Sequence, residues 1–205
     1  MVLAAGAANL LAADLETWSD LAYTLARTER FEWAATGTFR FTDTIGSLYD
    51  RRAGTNLEHQ VGGGARARLG YVFRNRNDQY PFRNEHRLVA GINYPLARRT
   101  VEVVGTTLYE RLFLQLAPDF NRYRQQFDLT RPGKGLSPWL HQDFTFLQGS
   151  GFARTRTRFG LQWTGARSAF RAAYQFESIS VGTAWVPRHV IYTELSINHP
   201  IWDLD

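Results

Sequence analysis

Residues 152–164 read Phe152-Ala153-Arg154-Thr155-Arg156-Thr157-Arg158-Phe159-Gly160-Leu161-Gln162-Trp163-Thr164, an alternation with a period of two. Successive side chains of a strand point to opposite faces. Arg154, Arg156, Arg158, Gly160 and Gln162 therefore share one face, and Ala153, Thr155, Thr157, Phe159, Leu161 and Trp163 the other. A helix would scatter both sets. The same rhythm recurs along the chain without a long apolar helix. It predicts an all-β protein: a single closed antiparallel up-and-down transmembrane β-barrel of about 10 to 12 strands with a polar interior.

Working outward, Leu21, Tyr23 and Leu25 alternate with Ala22, Thr24 and Ala26. After a polar turn near Thr28-Glu29, Phe31, Trp33, Ala35, Gly37, Phe39 and Phe41 alternate with Glu32, Ala34, Thr36, Thr38 and Arg40, completing a hairpin. A polar connection over residues 42–53 leads to residues 57–73, where the polar face carries Glu58, Gln60, Arg66, Arg68 and Arg74. Gly62-Gly63-Gly64 either runs through this segment or turns and divides it, since glycine accepts the positive φ of a tight turn. Further strands are read over 84–94, 99–114 (after a turn at 95–98), 121–130, 139–147, 152–164, 168–177 and 188–199. The breaks between them are read at 75–81, 116–119, 131–135, 149–151, 165–166 and 178–187. The count is ten, or eleven if the glycines turn. Bacterial single-chain membrane barrels use even numbers, so eleven asks for one more strand, from residues before Trp18 or from a misread turn.

Composition agrees with this class. The length of 205 residues suits one all-β domain, expected over residues 14–205. A mean hydropathy of −0.34 does not argue against a membrane barrel, because its membrane signal sits in alternate residues and averages out. Cysteine is absent, which removes disulfides and thiolate metal sites. The 24 Lys+Arg include only one lysine, Lys134, leaving 23 arginines. They alternate with apolar residues and are accompanied by Glu58, Glu85, Glu102, Glu110, Asp128, Asp143, Glu177 and Glu194. No basic tail or helical patch forms, so no nucleic-acid partner is expected. The arginine pairs and groups at 51–52, 74–76 and 98–99 read as loop groups, either solvated or touching phosphate-bearing lipid or polysaccharide. Residues 1–13 read as a signal-peptide remnant or an N-terminal extension, apolar and small but without a positive n-region.

Several short motifs carry a resemblance: Thr17-Trp18, Leu69-Gly70-Tyr71, Glu85-His86-Arg87-Leu88, the Asn121 to Arg124 run, Trp139-Leu140-His141-Gln142-Asp143-Phe144 and the Arg156 to Leu161 run. From about Trp18 to Ile201 the chain resembles an uncharacterised family of outer-membrane β-barrels of the DUF2490 type. The resemblance implies a barrel in the bacterial outer membrane and brings no established activity. The chain ends in Asp205 where many outer-membrane barrels have a terminal aromatic.

Candidate chemistry is sparse. His141 and Asp143 share a predicted interior face with Trp139 and could form an acid/base pair with Glu85 or Glu194 across the lumen; the alternative is membership of a salt-bridged filling. Ser137, Ser150, Ser178 and Ser180 lack a nucleophile-elbow context. His59, His86, His189 and His199 lack zinc-ligand spacing. No cofactor motif is present, and no metal site is expected. The interior polar network is expected to comprise Arg66, Arg68, Glu85, Arg87, Arg122, Arg124, Asp143, Arg154, Arg156, Arg158, Arg171 and Glu194. Phe31, Trp33, Phe39, Leu69, Tyr71, Ile92, Phe159, Leu161, Ile191 and Leu195 are expected to face lipid, because an arginine on that face costs roughly 2–4 kcal/mol at the midplane. The functional expectation is a non-enzymatic outer-membrane barrel of structural, narrow-pore or surface-interaction type. Its partner would be outer-membrane lipid, with lipopolysaccharide or another envelope protein as further candidates. The alternatives are a barrel hydrolase acting on lipid or envelope polymer and a soluble ligand-binding barrel, which would reverse the two faces.

Overall fold

The computed structural model describes residues 15–42, 47–77, 83–115 and 117–203. The stretch 1–13 lies outside them. Eleven long strands follow in chain order: β1 (Leu15–Arg27), β2 (Phe31–Thr42), β3 (Ser47–Gly62), β4 (Ala65–Arg76), β5 (Arg83–Arg98), β6 (Glu102–Leu114), β7 (Phe120–Thr130), β8 (Gly135–Leu147), β9 (Gly151–Thr164), β10 (Ser168–Val181) and β11 (Ala184–Ile197). Each pairs antiparallel with the next. The cylinder then closes by a parallel ladder between β11 and β1, from Leu15 opposite His189 to Tyr23 opposite Ile197. A two-residue β12 (Trp202–Asp203) continues the line of β11 beside Ala26 and Arg27 of β1. The chain is thus an all-β closed barrel of eleven long strands. The even number expected from parity gives way to a parallel seam, whose slanted, evenly spaced hydrogen bonds close the sheet without a twelfth long strand.

The triglycine segment turns. Gly63 and Gly64 hold φ of 59° and 78° between β3 and β4, the two positive values a two-residue hairpin of right-handed twist requires. Elsewhere the strands run further than alternation indicates. Residues 47–53, read as part of a connection, belong to β3. A register shift beside Arg40 pairs Phe41 with Leu48 and Arg40 with Asp50, so Tyr49 and Asp50 are buried in succession and the period-two signal is lost there. The turn read at 95–98 is strand, because the ladder with β6 shifts between Pro95 and Ala97 and absorbs the missing proline N–H. The break read at 178–187 shrinks to a turn at 182–183. Pro187 precedes the first β1 partner, His189, so its lack of a donor leaves no gap in the seam.

All ten side chains named above as lipid-facing are exposed; among the described residues thirty-two large apolar side chains are exposed against ten buried apolar residues. The buried aromatic core is small and lies inside the barrel, where Trp18, Trp139 and Tyr192 meet Val190 and Ala173. Two aromatic rows mark the outside. At the triglycine end Phe31 stacks on His59 at 4.3 Å and Trp33 faces Trp202 at 6.4 Å. At the opposite end Phe152 lies 5.4 Å from Phe146 and 5.3 Å from Trp185, and the Tyr71 hydroxyl meets His86 Nδ1 at 2.5 Å. Beyond this second row the outer polar side chains bond one another: Arg51 donates to Asn75, Asn75 to Asn84, Arg111 to Asn121, and Asn121 to Gln148.

Candidate functional site

The inward positions of β2 to β10 build one continuous chain of ion pairs near the end opposite the triglycine turn. Fully buried Asp50 holds Arg52 at 2.7 Å, Arg74 at 2.8 Å and Arg40 at 3.5 Å. Arg74 passes at 3.2 Å to Glu85, which also holds Arg87. Arg87 reaches Glu110 at 3.7 Å, and Glu110 holds Arg122 and, at 3.3 Å, Arg124. Arg124 pairs with Asp143, and Asp143 with Arg156 at 3.6 Å. Arg156 lies 2.9 Å from Glu177, which takes Arg154 at 3.4 Å. Unlike charges meet in part because the antiparallel register sets them side by side. Glu177 lies opposite Arg156, and Asp143 opposite Arg156 on the other flank.

Across the seam the ring is completed by an aromatic ring together with the Glu16 carboxylate. Trp18 on β1 has the Arg40 guanidinium 3.5 Å from its ring centre and that of Arg156 at 4.9 Å. Its Nε1 donates to Glu16 at 2.7 Å, Tyr49 donates to the same carboxylate at 2.5 Å, and Arg188 of β11 lies 3.6 Å from it. A desolvated guanidinium over an indole face gains about 2 kcal/mol, so Trp18 does for two arginines what a carboxylate does elsewhere in the ring.

A second cluster lies deeper. Arg158 donates to Gln175 at 2.6 Å and sits 3.8 Å over the Tyr192 ring. Arg171 donates to Glu194 at 3.1 Å and to Gln162 at 2.7 Å, with Trp139 4.8 Å away. The Tyr192 hydroxyl lies between Asp20 at 2.9 Å and Glu194 at 2.7 Å. Nearer the triglycine end, Arg68 donates to Asn56, and the half-exposed Arg66 stands 3.6 and 3.7 Å from Glu32 and Glu58.

The expected site residues therefore fall into two groups. Glu85, Arg87, Arg122, Arg124, Asp143, Arg154 and Arg156 meet in the ring, whereas Arg66, Arg68, Arg158, Arg171 and Glu194 lie outside it. His141 and Asp143 do not act on one another. His141 Nδ1 meets Asp128 at 3.0 Å, beside the Trp139 Nε1 that donates to the same carboxylate, while Asp143 is taken by Arg124 and Arg156. Glu85 and Glu194 are likewise engaged by arginines, and His141 Nδ1 is on Asp128 rather than on either of them. Arg52, read as a loop arginine, is interior, as is Arg74, read both on the polar strand face and in a loop group. Asp50, Trp18, Arg40, Glu110 and Glu177 are ring members outside the expected network, although Arg40 stood on the polar face of its alternation and Glu110 and Glu177 among the carboxylates accompanying the arginines. The register shift hides Asp50, and the contacts of Trp18 depend on neighbours in β2 and β9. Among the described residues no group of three or more His, Asp or Glu is placed to hold a metal.

Three cavities are strung along the interior, of about 230 Å³ nearest the Asp50 end, 360 Å³ in the middle and 210 Å³ toward the triglycine end. Arg40, Arg52, Arg87, Arg124 and Arg156 line both of the first two and form the layer between them.

Residues 15–186 match the family model described as a protein of unknown function, DUF2490. The chain belongs to the DUF2490 family. No curated protein matches it. For this DUF2490 barrel the family description assigns no chemistry, so the interior geometry has to carry the functional argument.

Proposed function

We propose that this DUF2490 protein is an integral barrel of the bacterial outer membrane, non-enzymatic, with a lumen filled by arginines and carboxylates. It serves as a structural element or a narrow passage for small solutes. The observation that supports this is the inversion of the two faces, with large apolar side chains pointing out and charges pointing in. A soluble monomer rarely exposes an apolar patch of more than a few hundred Å², whereas a closed barrel satisfies its own backbone and can present such a surface to hydrocarbon. Strands of 11 to 16 residues meet or exceed the roughly 9–11 needed to cross a bilayer at a tilt. The two aromatic rows then lie level with the interfaces, and the outer Arg51 and Arg111 groups with the lipid headgroups. The arginine layer between the cavities keeps the passage narrow.

Fractionation of cells expressing the chain, followed by heat-modifiable migration and planar-bilayer recording, tests this. The expected result is recovery from the outer membrane only with detergent, a faster-migrating unheated form, small or no conductance, and no hydrolysis of envelope lipids. A chain that stays monomeric in buffer without detergent would replace this reading with the soluble barrel. Lipid hydrolysis lost in His141→Ala would replace it with the enzyme.

A further inference from the structure

We propose that the cavity at the Asp50 end of the barrel binds a small tetrahedral oxyanion of the phosphate or sulfate class, gripped by Arg40, Arg154 and Arg188. The argument begins with a charge imbalance. Leaving Arg76 aside, nine arginines line this cavity, and among the described residues six carboxylates stand within ion-pair reach of them, so three cations are in excess there. Guanidinium stays charged in a protein, and an unbalanced charge held away from water is costly.

The distances show where the excess lies. Six of the nine hold a carboxylate at 2.9 Å or closer. Arg40, Arg154 and Arg188 hold theirs only at 3.5, 3.4 and 3.6 Å. Two of these three also carry an unused donor: the Nε atoms of Arg40 and Arg154 are buried and have no hydrogen-bond partner. Arg40 is only 7% exposed and lines the cavity, so its free N–H cannot turn out to bulk water. Buried donors are almost always paired, and a forked guanidinium matches the oxygens of a tetrahedral anion. An anion of two or more charges between these three side chains meets the charge imbalance and the unused donors together.

The cavity is enclosed by the barrel wall, so the occupant is a free ion and not a headgroup carrying acyl chains. The site requires the closed barrel and is independent of the bilayer, so its failure and that of the membrane reading are separable.

The test uses the full chain refolded in neutral detergent micelles, titrated calorimetrically with sodium phosphate or sodium sulfate, with sodium chloride at matched ionic strength as the control. Both oxyanions are expected to bind and to raise the heat-unfolding midpoint by on the order of 5 °C at saturation, and chloride is not. Arg154→Gln and Arg188→Gln are each expected to weaken phosphate affinity about tenfold or more, with heat-modifiable migration retained in phosphate-free buffer. Should Arg154→Gln fail to fold, Arg188→Gln still decides, because its side chain is 37% exposed and leaves the ring intact. Equal stabilisation by chloride, or unchanged phosphate affinity in the folded variants, would overturn the site. Displacement of phosphate by micellar lipid phosphate would overturn the free ion as its occupant.

Discussion

The interior of this barrel has two walls that solve one problem differently. Along β3 to β8 the inward arginines are held by carboxylates from neighbouring strands, and the partners are fixed pair by pair. From β9 through β11 and β1 to β2, arginines lie against rings as well as carboxylates: Arg40 and Arg156 on Trp18, Arg158 on Tyr192, Arg171 on Trp139. The difference does not follow pairing direction, since Trp18 lies opposite Arg40 in the antiparallel β1–β2 ladder and the Arg188–Glu16 ion pair crosses the parallel seam. It follows from the residues at the inward positions: Trp18, Trp139 and Tyr192 present broad faces that accept a cation over a wide area, where the other wall presents carboxylates whose partners are fixed.

Removing charge from the ionic wall is expected to have the largest effect. Asp143→Asn leaves Arg124 and Arg156 short of a fully buried counter-charge and should destabilise the barrel by about 3–5 kcal/mol. Denaturant titration of the heat-modifiable form in micelles would read this, and a loss below about 1 kcal/mol would break the distinction between the walls. At the seam, Trp18→Phe keeps a ring but gives up the better cation–π face and the N–H to Glu16. A loss of about 1–2 kcal/mol is expected by the same titration. A loss as large as that of Asp143→Asn would show the seam to be as dependent on fixed partners as the ionic wall. The smallest effect belongs to Arg66→Gln near the triglycine end, where the side chain is 44% exposed and its two carboxylates lie beyond 3.5 Å. It should cost well under about 1 kcal/mol.

Ten segments, or eleven if the triglycine turned, and the facing of most of their residues were legible in the sequence, because period two survives wherever apolar side chains line one face and polar ones the other. Legibility failed where a bulge or a proline interrupts that period, at Tyr49-Asp50, Pro95 and Pro187. Membership of the interior could be read for Arg87 or Glu85 from parity alone. Partnership could not, since Glu177 finds Arg156 only through the register of β9 with β10, and Asp128 captures His141 through that of β7 with β8. Trp18 stood out as a motif residue, but its two guanidinium neighbours arrive from strands about twenty and about one hundred and forty residues away.

The parallel seam also decides how this molecule can be addressed from outside. Because β1 and β11 run in the same direction, a peptide label joined directly ahead of Leu15 and one joined after Asp203 would emerge from opposite mouths of the cylinder. On the membrane-spanning reading proposed above, a protease added to the medium of a sealed vesicle would then remove one label and spare the other, so that two tags on one chain report its orientation from a single digest.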